Sequence, residues 1–215
     1  MKMGKLVRAG LGLLLATPSL ALAQSNVTTG TPGPIPFEAS ALSGRTAYIS
    51  QIGTGHSARI EQRASNAEAR ISQDGVENDA AITQTGTGSF LATVGQSGGR
   101  NEASLTQSGI GSGILLATQS GDNNRLVAVQ ANAGALLNGA QLSQTGQNNE
   151  MNFVQDGSDN RAQLTQEGAD NRMTASQIGN GGRLVWTQQG NNLSDLGVSQ
   201  IGAQAIQIVQ TGQGN

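Results

Sequence analysis

A glutamine recurs along this chain at a nearly constant interval, and this repeat limits the folds that the sequence can adopt. Nine of the fourteen intervals are 11 residues, and all but one lie between 10 and 12. Repeats of this kind are typical of solenoids, in which each unit packs against its neighbours. The fifteen copies are Gln51, Gln62, Gln73, Gln84, Gln96, Gln107, Gln119, Gln130, Gln144, Gln155, Gln166, Gln177, Gln188, Gln200 and Gln210.

The residues two and four places before each glutamine are always apolar. All thirty of these positions are apolar, whereas only eight of the thirty positions between them are. Alternation with a period of two predicts a β-strand with one buried face. Phe153 and Trp186 fall in this register, so we predict that both side chains lie in the core.

A turn is predicted after each strand. Glycine stands two places after the glutamine in thirteen of fifteen copies, the exceptions being Ala64 and Asn132. Both glycine and asparagine tolerate the positive φ angles of tight turns, so each unit is predicted to be a strand of about five residues that ends on the glutamine. The predicted turn glycines are Gly53, Gly75, Gly86, Gly98, Gly109, Gly121, Gly146, Gly157, Gly168, Gly179, Gly190, Gly202 and Gly212. Asparagine follows five places after the glutamine at Asn78, Asn101, Asn124, Asn149, Asn160, Asn171 and Asn215.

A right-handed coiled coil is the alternative reading of an eleven-residue period. It requires apolar positions three and four residues apart, and here they are two apart. A glycine in nearly every copy would also cost each helix about 1 kcal/mol relative to alanine. The repeat therefore favours strands.

The asparagines indicate that the units come in pairs. Asn78, Asn101 and Asn124 alternate with Ser89, Ser112 and Ala135 at the same offset. The complete repeat is then two strands facing each other, and about seven such rungs span residues 46–215. The predicted fold is an all-β solenoid, a rod on the order of 35 Å long at about 4.8 Å per stacked strand.

Three segments carry a recognisable family pattern: Gln73–Gln84, Gln96–Gln107 and Gln155–Gln166 each run Gln-x-Gly-x-x-Asn-x-Ala-x-x-x-Gln. This pattern resembles the curlin repeat, and the resemblance extends over about four fifths of the chain. It implies a subunit of an extracellular, amyloid-forming fibre that acts in cell adhesion and biofilm matrix. It also implies a homopolymer, a second curlin-type subunit as nucleator or co-polymer, and export through an outer-membrane pore.

The glutamines and asparagines are the residues that we expect to carry this function. Stacked at one height in successive rungs, side-chain amides donate to one neighbour and accept from the other. We therefore predict ladders of amides along the rod.

The N-terminal residues lie outside the repeat. Residues 1–23 begin with Lys2, Lys5 and Arg8, continue with an apolar stretch and close on Ala21-Leu22-Ala23, which predicts a secretory signal peptide. The stretch is short for a membrane span, the alternative reading. Residues 24–45 hold three prolines and are predicted to be flexible. The family resemblance implies that they address the secretion pore, and a leader without a receptor is the alternative.

Charge, cysteine count and motif content argue against other classes of protein. Beyond residue 23 there are nine arginines, no lysine and fourteen carboxylates, a net charge of −5, which does not favour nucleic acid as a partner. There is no cysteine for a disulfide. His56 occupies a turn position, and we expect no catalytic role for it. Turn aspartates such as Asp74 lack the nine-residue period of the calcium-binding β-roll, so we predict no metal, no cofactor and no enzymatic activity.

A monomeric solenoid that binds ice or polysaccharide is the alternative function. Such a protein needs a regular outward array. Serine or threonine precedes the glutamine in ten of fifteen copies, but the next outward place varies from Tyr48 to Arg59, Gln163 and Val185. The sequence therefore favours the fibre subunit.

Overall fold

The computed structural model describes residues 25–33, 35–37 and 43–212, which form sixteen β-strands. The predicted signal peptide at residues 1–23 and the ladder residue Asn215 lie outside the described residues. Across the described ranges, no helix is long and apolar enough to cross a membrane. The strands are β1 Ser25–Gly30, β2 Arg45–Thr54, β3 Ser57–Gln62, β4 Asn66–Val76, β5 Asp79–Gly86, β6 Ser89–Gly99, β7 Glu102–Gly109, β8 Gly113–Asp122, β9 Arg125–Asn132, β10 Asn138–Gln147, β11 Glu150–Ser158, β12 Arg161–Ala169, β13 Arg172–Asn180, β14 Arg183–Gln189, β15 Val198–Ile201 and β16 Ala205–Gly212.

Alternate strands enter two different sheets. Sheet A has nine strands in the order β1-β16-β14-β12-β10-β8-β6-β4-β2, and sheet B has seven in the order β15-β13-β11-β9-β7-β5-β3. From β2 to β16 every pairing is parallel, and each strand pairs with the strand two places along the chain. This is a β-solenoid of about seven two-strand rungs, and the predicted fold class is confirmed.

The core is one layer of apolar side chains between the two sheets. Ile71 and Leu142 are fully buried, as are most of the residues two and four places before a glutamine. Trp186 is fully buried and Phe153 is 1% exposed, which confirms their predicted place in the core. Among the described residues, none accepts a hydrogen bond from the indole N–H of Trp186.

Two groups of inward-register residues are not buried. Ile49 on β2 is 44% exposed because β2 forms one end of sheet A and has a neighbour on one side only. Leu196 is 41% exposed, against expectation, because β15 begins only at Val198 and the preceding residues form a loop. The thin core therefore weakens at both ends of the rod.

Except for β15, which has four residues, the strands are longer than the five residues expected, and most do not end on the glutamine. β4 has 11 residues and continues past Gln73 to Val76. The reason is that Gly75, at φ 120°, stays in register with Gly53 below it and Gly98 above it. The glycine bends each strand without ending its pairing.

The turns that lead from sheet B back to sheet A, which we call the return turns, differ from the expected alignment. Ser89, Ser112 and Ala135 do not occupy the asparagine position. The residues in register there are Phe90, Gly113 and Asn138, because insertions lengthen these turns by one to three residues. Phe90 fills the position with an aromatic ring that packs on Ala64 and Ala67 in a second small core.

The expectation of a flexible segment at residues 24–45 needs correction for part of its length. Ser25–Gly30 forms β1 and pairs antiparallel with β16 at the C-terminal end of sheet A. Sequence periodicity could not indicate this pairing because it joins residues about 180 positions apart. Ile35 is also buried, at 5% exposure.

Candidate functional site

Two unbroken ladders of glutamine side chains run the length of the solenoid. In sheet A the Nε2 of each glutamine from Gln51 to Gln188 donates to the Oε1 of the next copy, at 2.7–2.9 Å. In sheet B the same bonds run from Gln62 to Gln200 at 2.6–3.0 Å. The structure thus places all fifteen predicted glutamines in ladders, eight in sheet A and seven in sheet B.

The ladders also tie the two sheets together. Twelve of the glutamines also donate an Nε2 hydrogen to a backbone carbonyl of the facing sheet, and Gln210 donates to Ser194 in the loop before β15; among the described contacts, Gln51 and Gln107 make no such bond. Gln144, for example, donates to the carbonyl of Arg125 at 3.1 Å. An amide buried without partners costs about 1–3 kcal/mol, so these bonds fix which residue stands opposite which.

A second kind of ladder follows the turns that lead from sheet A to sheet B, which we call the forward turns. Each asparagine there accepts a bond at Oδ1 from the backbone N–H of the next rung, and its Nδ2 donates to a glycine carbonyl of that rung. Asn124 shows both contacts, from Asn149 N at 3.1 Å and to Gly146 O at 2.9 Å. The members are Asn78, Asn101, Asn124, Asn149 and Asn171.

Asn160 belongs to a separate ladder in the return turns. It lies above Asn138, whose Oδ1 accepts from the Asn160 backbone N–H at 3.0 Å, and below Gly182. The single set of asparagines that the offset suggested is therefore divided between two edges of the rod. Asn138 was missed because the longest insertion, between Gln130 and Gln144, moves it out of the regular spacing.

Asn132, one of the two exceptions at the glycine position, connects the two sides of that insertion through hydrogen bonds. Its Nδ2 donates to the carbonyls of Ser112 and Leu136, both at 2.7 Å, and its Oδ1 accepts from Gly134 N. The side chain is 1% exposed. A buried polar residue at an irregular place in the repeat is the signal that could have indicated this role.

The glycine rows make the close stacking of the turns possible. Twelve of the thirteen predicted turn glycines have positive φ, the exception being Gly212. At Gly146, with φ 117°, an added Cβ would overlap the carbonyl oxygen of Gly168 in the next rung. The space between rungs is therefore too narrow for a side chain at this place.

A further left-handed position stands four residues after the glutamine, and the sequence analysis missed it. Non-glycine residues there have φ of 54–57°, among them Asn148 and Asp170. This region disfavours most L-residues but tolerates asparagine and aspartate. The enrichment of Asn, Asp and Gly at this offset was the available signal. The full set is Gly55, Glu77, Arg100, Asn123, Asn148, Asp159, Asp170, Gly181 and Asn192.

The uniform direction of the glutamine ladders gives the two ends of the rod different chemistry. At the N-terminal end, no described residue donates to the Oε1 of Gln51 or Gln62, so free acceptors begin both ladders. At the C-terminal end, Gln210 donates one Nε2 hydrogen to Ser194 O at 3.0 Å, and its second hydrogen continues no ladder within the described residues. In sheet A an acceptor at one end thus matches a donor at the other.

The lone histidine occupies the first place of the forward-turn ladder. Its Nδ1 accepts from the backbone N–H of Asn78 at 3.2 Å, and Nε2 lies 2.9 Å from the carbonyl of Ile52. His56 therefore stands where other rungs have asparagine and makes equivalent contacts. These contacts account for the residue as a turn component.

Comparison with known families identifies the repeat. The family model described as curlin associated repeat matches residues 75–109, which include β5, β6 and β7. A comparison with curated proteins and one with solved structures returned no match. Residues 75–109 are therefore similar to the curlin associated repeat.

Proposed function

We propose, from the similarity of residues 75–109 to the curlin associated repeat, that this chain is a structural subunit which stacks end to end into an extracellular curli-like fibre acting in adhesion and biofilm matrix. The observation that carries this proposal is the pair of directional glutamine ladders. In sheet A, the ladder ends in complementary groups, so a second copy placed on the first continues it. The curlin-repeat family is structural and non-enzymatic, which agrees with a chain built around backbone and amide ladders.

The sheet ends support the same proposal. β2 and β3 form the N-terminal edge with neighbours on one side only, and the edge of a sheet presents a row of unpaired N–H and C=O groups to other chains. Registers such as Gln73 with Gln96 repeat without change along the rod. A copy that added Gln51 above Gln210 would extend that register across the junction.

Fibre formation is the direct test. Residues 24–215, diluted from denaturant, are expected to convert after a lag to thioflavin-positive fibres with diffraction spacings of about 4.7 and 10 Å. The reason is that parallel stacking of strands and facing of the two sheets produce these two spacings. Electron microscopy and fibre diffraction of the purified protein measure the result.

A stable monomer would contradict the proposal. Protein that remains monomeric for days at concentrations on the order of 10–100 μM, while it melts cooperatively, would favour a binding solenoid instead. In that case ice-crystal shaping and binding to a polysaccharide array would identify the ligand class. Seeds of preformed fibre serve as the positive control for growth.

We also propose that residues 24–45 address an outer-membrane secretion pore and that a second curlin-type subunit nucleates the fibre. For the first, residues 24–45 fused to an unrelated exported passenger are expected to bring it to the medium in cells that contain the pore. A scrambled segment of the same composition is the matched control. Equal export of both fusions would show that the segment carries no address.

A further inference from the structure

One strand of the solenoid does not follow the stacking rule. β1 pairs with β16 antiparallel over six residues, from Ser25 with Gly212 to Gly30 with Gln207. Among the described strands, every other pairing is parallel. β1 covers the outer edge of β16, so the C-terminal edge of sheet A is occupied by the chain's own N-terminal segment.

Two contacts hold Ile35 and Phe37 against the side of the rod. Arg161 on β12 donates from Nη1 to the carbonyl oxygen of Ile35 at 3.1 Å, and Ile35 is 5% exposed. The ring of Phe37 lies against Gly139 at the start of β10, so closely that a Cβ on Gly139 would overlap it. These contacts keep β1 near β16 and raise its effective concentration there.

The first and last strands of the parallel stack in sheet A, β2 and β16, consequently differ in exposure. At the N-terminal end, Tyr48 is 56% exposed and Ile49 is 44% exposed. At the C-terminal end, Gln210 is fully buried and Ile208 is 6% exposed, with β1 beside them. In sheet A, the edge of β2 is therefore open for pairing, and the outer edge of β16 is covered by β1.

We propose that Ser25–Gly30 is an intrinsic cap which covers the C-terminal edge of sheet A, and that β2 of a second copy of this chain replaces it in parallel register during growth. This inference rests on the proposed function and adds its regulation. Every junction between two subunits then requires the release of one cap. In sheet A, a monomer with its cap in place offers the parallel edge of β2 and not that of β16.

The pairing of β1 suits a replaceable strand. It places Val27, which is 46% exposed, opposite Gln210, where a second copy would place Gln51. β1 has six residues and β2 has ten, so β2 offers a longer row of backbone partners. β2 also offers an amide acceptor that would continue the ladder. The β2 strand of an incoming copy can therefore form more hydrogen bonds with the edge of β16 than β1 does.

A reversible covalent lock tests the proposal. Thr28 and Val209 are paired in the register, and antiparallel partners have Cα atoms about 4.5–5.5 Å apart, a separation that a disulfide spans. The chain has no cysteine, so Thr28→Cys with Val209→Cys creates one possible intramolecular bridge. Seeded elongation is measured on the oxidised variant and on the same preparation after reduction.

The oxidised variant is expected to elongate seeds at least about tenfold more slowly than the reduced one, because the covered edge cannot pair. Mixed in small amounts with wild-type protein, it should also terminate growth, since its open N-terminal end still adds to a fibre. The matched control joins two rungs inside the rod through Thr118→Cys with Ser143→Cys, whose hydroxyls are 3.3 Å apart at the surface. That bridge leaves both ends unchanged and should not slow elongation.

A second variant opens the cap instead of locking it. The double variant Val27→Pro with Thr28→Pro removes two neighbouring backbone N–H groups. Because the N–H groups of successive residues in a strand point to opposite sides, one of the two faces β16 and its hydrogen bond is lost. The lag of this variant is expected to be shorter than that of the wild type. Equal elongation by oxidised and reduced lock variants would overturn the cap and leave the fibre function intact. Absence of fibres from both wild type and the open variant would overturn both.

Discussion

Gly146→Ala is expected to destabilise the solenoid by more than about 4 kcal/mol, an exceptional effect for a single methyl group. Gly146 has φ 117°, which L-residues rarely adopt, and an added Cβ would overlap the carbonyl oxygen of Gly168. Gly168 is the residue paired with Gly146 in the neighbouring rung, so the overlap can be relieved only if the two rungs move apart. The displacement of Gly146 would also break the hydrogen bond from Asn124 Nδ2 to the Gly146 carbonyl.

Gly95→Ala is the matched control. Gly95 lies on β6 without a positive φ, and its added Cβ would meet only the Thr118 methyl group at 3.9 Å. Removal of a glycine from a strand interior is expected to stabilise by about 0.5–1 kcal/mol. Denaturant unfolding followed by the fluorescence of Trp186, the only tryptophan, measures both variants. Similar midpoints for the two would mean that the turns do not stack as closely as the structure shows.

Gln119→Ala is expected to cost about 3–5 kcal/mol of unfolding free energy. The side chain is 2% exposed. Its Nε2 lies 2.9 Å from Gln144 Oε1, 3.0 Å from the Glu102 carbonyl and 2.9 Å from the Asn124 carbonyl, and its Oε1 accepts from Gln96 at 2.8 Å. Alanine would leave these buried groups without their partner and would add a cavity. The same denaturant unfolding measures the loss.

Gln51→Ala is the matched substitution at the open end of the same ladder. Gln51 is exposed and donates only to Gln73, so the monomer should lose less than about 1 kcal/mol. Its Oε1 is the acceptor proposed to meet Gln210 of the next copy, so seeded elongation should slow even though stability is nearly unchanged. If both variants lost stability equally and elongated at equal rates, the ladder would serve folding of the monomer alone.

The inward register and the glutamine ladders were predictable from the sequence. Apolar residues at a spacing of two define one buried face, and the constant interval between Gln51 and Gln210 requires the copies to stack at one height. Both features depend on residues close together in the chain. They therefore remain visible in the sequence even where an insertion interrupts the repeat.

The asparagine ladders were only partly predictable. A fixed offset identifies Asn124 and its neighbours but places Asn160 in the wrong ladder and passes over Asn138. Insertions in the return turns change how far a residue lies from the preceding glutamine in the sequence, although the residue still pairs with the equivalent position of the next rung. Only the pairing of Asn138 with Gly113 shows which positions correspond.

The cap is a feature that only the tertiary structure decided. Ser25–Gly30 has no repeat, and its partner strand β16 lies at the other end of the chain. A periodic pattern specifies contacts between neighbouring rungs, since each rung packs against the next. It does not specify what covers the last rung, because that edge accepts any strand with free backbone groups that the chain can bring to it. The sequence by itself determined the repeating body of the rod, and the fold determined which strand covers the outer edge of β16.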